Sequence, residues 1–320
     1  MTSSLPVEAF TFGDPVPVLD GRDIVSLLET TWTGQWYEPP VSYHGLAKLL
    51  DASPHHGSAI RLKARLLASL FPGHPLLSQA DFRAIALDYL VFGTAAVEVV
   101  PSRLGRVMAL RRSPALWTRV GRDGAAFFLS ADGGQAHAFR PGTLRLITEP
   151  DVRQEIYGLP TYLAAIQSIL LAENATLFRR RYYINGSHAG YILYLTDAAH
   201  TPEDIDRLRE ALKNAKGPGN FRNLFMYAPN GKPDGLKVIP VADAMAKDEF
   251  VGIKTVTRDD TLAVHRVPPQ LLGIVPSNAG GFGDISKARE TFIDNEIKPL
   301  FADFQALNEW AGVEVISTTL

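Results

Sequence analysis

Five carboxylate side chains stand close together in the C-terminal half of this 320-residue chain: Asp243, Asp248, Glu249, Asp259 and Asp260. Two or three carboxylates can hold Mg²⁺ for phosphodiester cleavage, so one hypothesis is a magnesium-dependent nuclease. Lys247, Lys254 and Arg258 stand among these acids at three- and four-residue spacing, which is typical of ion pairs on an exposed helix. The second interpretation is favoured because charge runs on helices usually face solvent.

Basic side chains are concentrated between residues 176 and 222. Eight of them stand there against five acidic residues, a local charge of +3. The candidates for contact with nucleic acid or a protein partner are Arg179, Arg180, Arg181, Lys213, Lys216 and Arg222. Helix ends also favour cations, so the arginine triplet could compensate a helix dipole. A monomeric nucleic-acid adaptor that uses a basic helix over 201–216 is a further hypothesis.

A long loop is predicted over Pro268–Asp284, which carries no charge before its last residue. Two adjacent glycines would act as hinges because glycine adopts backbone conformations closed to other residues. The loop candidates are Leu271, Leu272, Ile274, Val275, Asn278, Gly280, Gly281 and Phe282. By itself, such a loop could pack on the body or serve as a lid.

The remaining motifs argue against other chemistries. The chain has no cysteine, which excludes thiolate metal sites and thiol catalysis. Asn230-Gly231-Lys232 is followed by Pro233, where a phosphate-binding loop needs Ser or Thr. His55 and His56 are adjacent and do not share a helical face, so we expect them in a solvated loop rather than at a metal. No cofactor or metal is therefore expected.

Composition indicates a globular chain of near-neutral charge. Apolar residues make up 46% of it, and 32 Lys and Arg against 34 Asp and Glu give a formal charge of −2. That balance excludes a polycation, the usual form of a tight nucleic-acid binder. The first twenty residues have neither a basic start nor an apolar run, so we expect no signal peptide and an intracellular chain without a membrane segment.

Apolar spacing predicts the elements that must position these residues. Helical periodicity covers five stretches: 46–70, 78–92, 161–184, 243–265, and 285–310 with an interruption at Pro299. Ser78 is a plausible N-cap for the second, and Gly93 ends it. Short β-rich runs over 94–150 predict an antiparallel meander. Residues 187–241 indicate a small β-α-β-β unit with strands over 191–196, 224–227 and 236–241.

Residues 1–45 are rich in proline and predict an extended arm. The arm carries Trp32, Trp36, Tyr37 and Tyr43. So many aromatic side chains must be buried, either on the arm's own body or on a neighbouring subunit.

Five segments together are similar to one known family. The two longest are IYGLPTYLAAIQSILLAENATLFRRRYYINGSHAGYILYLTD (156–197) and AKDEFVGIKTVTRDDTLAVHRVPPQLLGIVPSNAGGFGD (246–284). The others are GTAAVEVVPSRLGRVMALRRSPAL (93–116), KGPGNFRNLFMYAPNGKPDG (216–235) and NEIKPL (295–300). They resemble the portal proteins of tailed bacteriophages, in the subgroup often labelled the PBSX family. The resemblance covers about residues 90–312.

The resemblance implies an α+β phage portal architecture with a β-rich wing, long stem helices, a small α/β clip and a tunnel loop. On this sequence the parts would be the Pro-rich N-terminal arm (1–45), an α/β wing region (46–160), a stem helix (161–184), the clip (187–241), a second stem helix (243–265), the tunnel loop (268–284), and a C-terminal wing helix with tail (285–320).

The resemblance also implies a non-enzymatic ring of about twelve identical subunits at one capsid vertex, through which double-stranded DNA is packaged and later ejected. Implied partners are double-stranded DNA bound without sequence preference, the terminase large subunit, the major capsid and scaffolding proteins, and head-completion or connector proteins, with no membrane. The basic candidates would face the channel or the motor, and the apolar loop residues would bear on the duplex. The protein would be found in the virion and, during assembly, in the host cytoplasm.

Overall fold

The computed structural model describes residues 31–130, 135–184, 191–195, 236–240, 247–275 and 283–318. These residues fall into two compact units. The larger unit comprises the described residues within 18–172 and 256–320, and the smaller unit those within 173–255. The division passes through two long helices, so each of them has one part in each unit.

The described part of the larger unit begins with three helices: α1 (Tyr43–Ala52), α2 (Pro54–Leu70) and α3 (Gln79–Phe92). The prediction of one continuous helix over 46–70 was wrong at Ser53, where the backbone is extended. Pro54 then starts a new helix, because the first helical position needs no N–H donor.

The predicted ends of α3 are confirmed. The Ser78 hydroxyl accepts a hydrogen bond from the Asp81 N–H at 3.0 Å and so satisfies one of the free donors of the first turn. Gly93 ends the helix in the left-handed conformation, with φ 67°.

Between α3 and residue 148, the described residues contain six strands, which form two antiparallel sheets. The first contains β1 (Thr94–Pro101), β2 (Val107–Ser113) and β6 (Leu144–Thr148) in the order β2-β1-β6, and the second contains β3 (Thr118–Val120), β4 (Ala126–Phe128) and β5 (His137–Ala138). The predicted single meander was therefore wrong. β6 returns to β1, where Val97 pairs with Arg112 on one side and Arg145 on the other. β1 is central because its first four residues are buried.

Two long helices lie close to their predicted positions. A 3-10 turn over Thr161–Ala165 leads into α4 (Ile166–Ile184), and α5 spans Lys247–Val264. The prediction placed the start of the first helix one turn too early as regular α-helix, and residues 243–246 lie outside the described residues.

The smaller unit also contains strands β7 (Tyr191–Leu195) and β8 (Leu236–Pro240), which pair antiparallel with Leu193 opposite Val238. Strands were predicted at both places. The predicted helix over 201–216 and the predicted strand over 224–227 lie outside the described residues.

The C-terminal helix is broken one turn earlier than predicted. α6 (Ile285–Phe292) is followed by a π-helical turn (Ile293–Ile297) and by α7 (Lys298–Ala311). Pro299 causes no interruption because it sits in the first turn of α7. The π turn is the actual irregularity, and Glu296 within it is buried. In the described residues, no helix is long and apolar enough to cross a membrane.

Aromatic rings join the helices of the larger unit in its core. Phe82 of α3 contacts Phe71, Phe301 and Phe304, with ring centroids 4.8 to 5.7 Å apart. All four rings are at most 2% exposed. Burial of such a side chain stabilises the fold by about 2–3 kcal/mol, so this cluster holds α7 against α3.

The described end of the arm packs on its own subunit. The Tyr37 N–H donates to the Val120 carbonyl oxygen at 2.9 Å, and the Trp36 ring lies 5.7 Å from that of Phe127. Tyr43 is 4% exposed. Of the two alternatives for the arm's aromatic residues, burial on the body is the one observed from residue 32 onward.

Candidate functional site

Two members of the acidic cluster, Asp259 and Asp260, each have a partner of their own in the structure. Asp259 pairs with Arg258, with 2.8 Å between Oδ1 and Nε. Asp260 accepts a hydrogen bond from the Ser168 hydroxyl at 2.7 Å. The other three members have no described side chain: Asp243, Asp248 and Glu249. Across the described ranges, no group of three or more potential metal ligands occurs. The nuclease hypothesis therefore gains no support.

Two of the basic candidates, Arg179 and Arg180, are exposed on α4 within the smaller unit. Burial and then the charge of Arg179 lower the pKa of Lys254 on α5, so two cations lie near each other. The exposed Arg179 and Arg180 carry positive charge, which attracts an anionic polymer. The other basic candidates have no described side chain: Arg181, Lys213, Lys216 and Arg222.

The loop candidates differ in exposure. A 3-10 turn over Pro269–Leu272 ends at Gly273, whose φ is 72°. Leu271, Leu272 and Ile274 are half-buried and pack against the hydrophobic core, whereas Val275 is 48% exposed. The other candidates lie outside the described residues: Asn278, Gly280, Gly281 and Phe282. Of the four apolar candidates from 271 to 275, Val275 is therefore the one most available to a partner.

A buried ionic cluster, which the sequence analysis missed, holds the chain where α5 ends. Lys63 Nζ on α2 lies 2.5 Å from Glu296 Oε1, and Arg266 Nη1 lies 2.8 Å from Glu296 Oε2. Lys63 also donates to the His265 carbonyl oxygen at 3.4 Å. The side chains of Lys63 and Glu296 are only 3% and 8% exposed, which is rare for charged groups.

Burial and charge act in opposite directions on this cluster. Burial raises the pKa of Glu296, but Lys63 and Arg266 together outweigh it, so the pKa is lowered. Burial lowers the pKa of Lys63 more than Glu296 raises it. Each charge depends on the other, because either one alone would be buried without compensation.

His56 contradicts the expectation of a solvated loop. It lies within α2, is fully buried, and its Nδ1 is 2.9 Å from His265 Nε2. The Tyr162 ring packs edge-on against it, with 4.5 Å between centroids. Burial, with a smaller contribution from Arg61, lowers the pKa of His56 to about 4. Burial, with His56 and Lys63, lowers the pKa of His265 to about 2. Both rings are therefore neutral at pH 7, and one donates to the other.

Arg266 adopts the left-handed conformation, with φ 56°, at a position where helices usually place glycine. Its N–H donates to the Ala263 carbonyl oxygen at 2.9 Å, and the Val267 N–H donates to that of Leu262 at 3.0 Å. This pair of bonds is the Schellman ending of a helix. The conformation costs a residue with Cβ about 1 kcal/mol, which the bond to Glu296 helps to offset.

A family model and two relatives of this chain carry the same description. A family model for phage portal proteins matches residues 56–312. The chain is 50% identical over 317 residues to a probable portal protein of Escherichia phage P2, which covers 99% of this chain and 92% of that protein. It is 38% identical over 269 residues to a probable portal protein of Haemophilus phage HP1 (strain HP1c1), with 82% and 78% covered.

Solved structures share the fold at low sequence identity. A chain in the virion of a native gene transfer agent particle matches with a TM-score of 0.63 and 18% identity, over 90% of this chain and 85% of that one. The neck of the native particle computed with C12 symmetry gives 0.58 and 20%, over 94% and 84%. An HK97 family phage portal protein from Corynebacterium diphtheriae gives 0.60 and 17%, over 82% and 88%.

Fold and relatives together define a structural protein of the phage particle. The chain belongs to the phage portal protein family. Its function is that of a portal protein, which serves the packaging of viral DNA. The nuclease and the monomeric adaptor have no support, and membership of the PBSX subgroup stays a prediction.

Proposed function

We propose that about twelve copies of this chain close into a ring at one capsid vertex, and that double-stranded DNA passes through the ring in packaging and in ejection. The observation that carries the proposal is the 50% identity to a probable portal protein over 99% of the chain. The C12 symmetry used for the gene transfer agent neck, which contains a chain of the same fold, supports the number of copies.

The width of a helix also favours twelve copies. Twelve helices about 10 Å wide, side by side, place their axes on a circle of radius about 19 Å and leave an opening of about 28 Å. A DNA duplex about 20 Å across passes through this opening with a layer of water. Six helices would leave only about 10 Å, which is too narrow for a duplex.

The charge of the chain suits passage rather than tight binding. Each phosphate that a protein neutralises releases counterions and strengthens binding, which would slow a moving duplex. A chain with a net charge of −2 and a limited basic region avoids this. We place the basic candidates along the channel or toward the motor, and we place the DNA contacts of the tunnel loop at Val275 and the candidates that follow it.

The proposed position of the ring at a capsid vertex implies which proteins bind it. The insert of residues 187–241, which contains β7 and β8, is the proposed clip on which the terminase large subunit docks. The major capsid and scaffolding proteins surround the ring, and head-completion or connector proteins bind it later. The chain itself performs no catalytic step, since the docked motor hydrolyses ATP. The ring assembles in the host cytoplasm and remains in the virion.

Electron microscopy of the purified protein, together with native mass spectrometry, tests the ring. We expect a closed ring of about twelve subunits with an opening that admits a duplex. A protein that stays monomeric at working concentration, or a ring whose opening is narrower than a duplex, contradicts the proposal.

Neutralisation of two exposed arginines tests the basic region. Arg179→Ser with Arg180→Ser should leave the ring intact and reduce packaged DNA about fivefold, because the positive surface near the duplex is lost. Arg103→Ser with Arg106→Ser is the matched control, since both arginines are exposed near the β1–β2 turn and the same charge is removed. Equal packaging by the two double variants would show that Arg179 and Arg180 have no special role.

A further inference from the structure

Three unusual features meet where α5 ends and the loop over 268–284 begins. Lys63 and Glu296 form a buried ion pair. Arg266 holds a left-handed backbone with a side chain that reaches Glu296. Glu296 itself lies in the π turn between α6 and α7, a kind of irregularity frequent at functional sites. Their coincidence needs a common explanation.

We propose that Lys63, Glu296 and Arg266 form a positioning clamp that fixes the direction in which the loop leaves the body. The clamp ties three separate parts of the larger unit: α2, the end of α5 and the π turn. Its role in DNA passage rests on the proposed portal ring, but the tie itself is a property of the single chain.

Arg266 provides the first argument. A glycine at this position would take the same backbone conformation without strain, so arginine is not needed to turn the chain. The Arg266 side chain is 69% exposed, and an ion pair so exposed adds little to global stability. What arginine adds is a directional link from the end of α5 to the π turn.

The space around Arg266 provides the second argument. Arg266 borders a cavity of about 170 Å³ that is also lined by Lys63, Tyr89 and Glu149. It also borders an open groove of about 440 Å³ that is lined by Lys287 and Phe292 among others. Because the Arg266 side chain borders open space in both places, packing alone does not hold it, and its bond to Glu296 sets its direction.

The residues after the clamp extend its effect toward the loop. Val267 is 3% exposed, and Pro268 and Pro269 restrict the backbone that follows. Leu271 and Leu272 then pack on the core. A rigid segment therefore runs from the clamp to Ile274, and the DNA-contacting part begins at Val275. The tunnel loop that acts on DNA is thus shorter than 268–284.

The decisive variant is Arg266→Gly, which removes the link but keeps the left-handed backbone. Asp123→Gly is the matched control, because Asp123 also has φ 56° and lies in an exposed turn far along the chain from the loop. Three quantities are measured in each variant: ring assembly by electron microscopy, amide hydrogen exchange over residues 267–274, and packaged DNA. Arg266→Lys tests for rescue, since it restores the charge.

We expect Arg266→Gly to melt close to the wild-type temperature and to form rings, because the relief of the left-handed backbone offsets the lost bond to Glu296 and the greater freedom of glycine in the unfolded chain. Its amides over 267–274 should exchange about tenfold faster, and its packaged DNA should fall about fivefold, with partial recovery in Arg266→Lys. If Arg266→Gly has the same amide exchange rates over 267–274 and the same amount of packaged DNA as Asp123→Gly, the clamp proposal is wrong. If wild-type protein forms no ring, the proposed function fails, and the exchange measurement alone decides for or against the clamp.

Discussion

The parts of the two long helices, α4 and α5, that belong to the larger unit are held in different ways. We call the contacts of Gly93, Gly158 and Tyr162 near the start of α4 the α4 root. We call the contacts near the end of α5 the α5 root; they are made by Lys63, Glu296, Arg266, His56 and His265. The root of α4 depends on close packing of neutral groups. A Cβ added to Gly93 would collide with the backbone of Leu159, and one added to Gly158 would collide with the Gly93 carbonyl oxygen. The Tyr162 hydroxyl donates to the Val91 carbonyl oxygen at 2.5 Å. Backbone segments therefore touch here with no room for a side chain.

The root of α5 depends on ionic and polar contacts instead. Lys63, Glu296 and Arg266 form the clamp, and the pair of His56 and His265 lies beside it. Arg266 and Glu296 border open space, and the ionic and polar groups require particular charge states. We therefore expect added side-chain volume at the α4 root to lower the free energy of unfolding by an amount that does not depend on pH. The contribution of the α5 root should depend on pH and tolerate added volume.

The largest effect is expected at the α4 root, from Gly93→Ala. The left-handed φ of 67° and the collision with Leu159 act together, and the crowding backbone cannot move as a flexible side chain could. We expect the free energy of unfolding to fall by about 3 kcal/mol or more, and by the same amount at pH 7 and pH 5.

Gly312→Ala is the matched control for this measurement by denaturant titration. Gly312 ends α7 with φ 65° but has open space where a Cβ would stand, so only the backbone strain applies. The expected loss is about 1 kcal/mol. Equal losses at the two glycines would show that the α4 root is not tightly packed.

The two roots also differ in how far they could be predicted from sequence. The ends of α3 at Ser78 and Gly93 follow from signals within a few residues, so they were predicted correctly. Lys63 and Glu296 stand 233 residues apart, and no local pattern links them. One signal was present: Lys63 occupies a buried helical face between Ile60 and Leu67, where a lysine needs a partner.

The error at His56 has a similar physical cause. His55 and His56 were judged together because they are adjacent. Successive residues on a helix point about 100° apart, so one can face solvent while the other enters the core. His55 is half-buried and His56 is fully buried. The partner of His56 comes from the end of α5, which sequence spacing does not bring near it.

A smaller and pH-dependent effect is expected at the α5 root. The folded state keeps His56 and His265 neutral because burial lowers both pKa values, to about 4 and about 2. The unfolded chain takes up a proton on each histidine below pH of about 6.5. Above that pH the two histidines therefore do not lower the free energy of unfolding. As the pH falls below it, the free energy of unfolding decreases by up to about 1.4 kcal/mol per pH unit for each histidine.

The double variant His56→Phe with His265→Leu isolates this contribution, because it removes both titrating groups and keeps apolar volume in the core. Its free energy of unfolding should depend less on pH between 6 and 4.5 than that of the wild type, by up to about 2.8 kcal/mol per unit. The exposed His137 supplies the control variant His137→Gln, which should follow the wild type. Glu296 does not confound the comparison, since both proteins retain it and its contribution to the pH dependence cancels in the difference. Parallel pH profiles for the double variant and the wild type would mean that the histidine pair is protonated in the fold, and the contrast between the two roots would then rest on the ionic clamp alone.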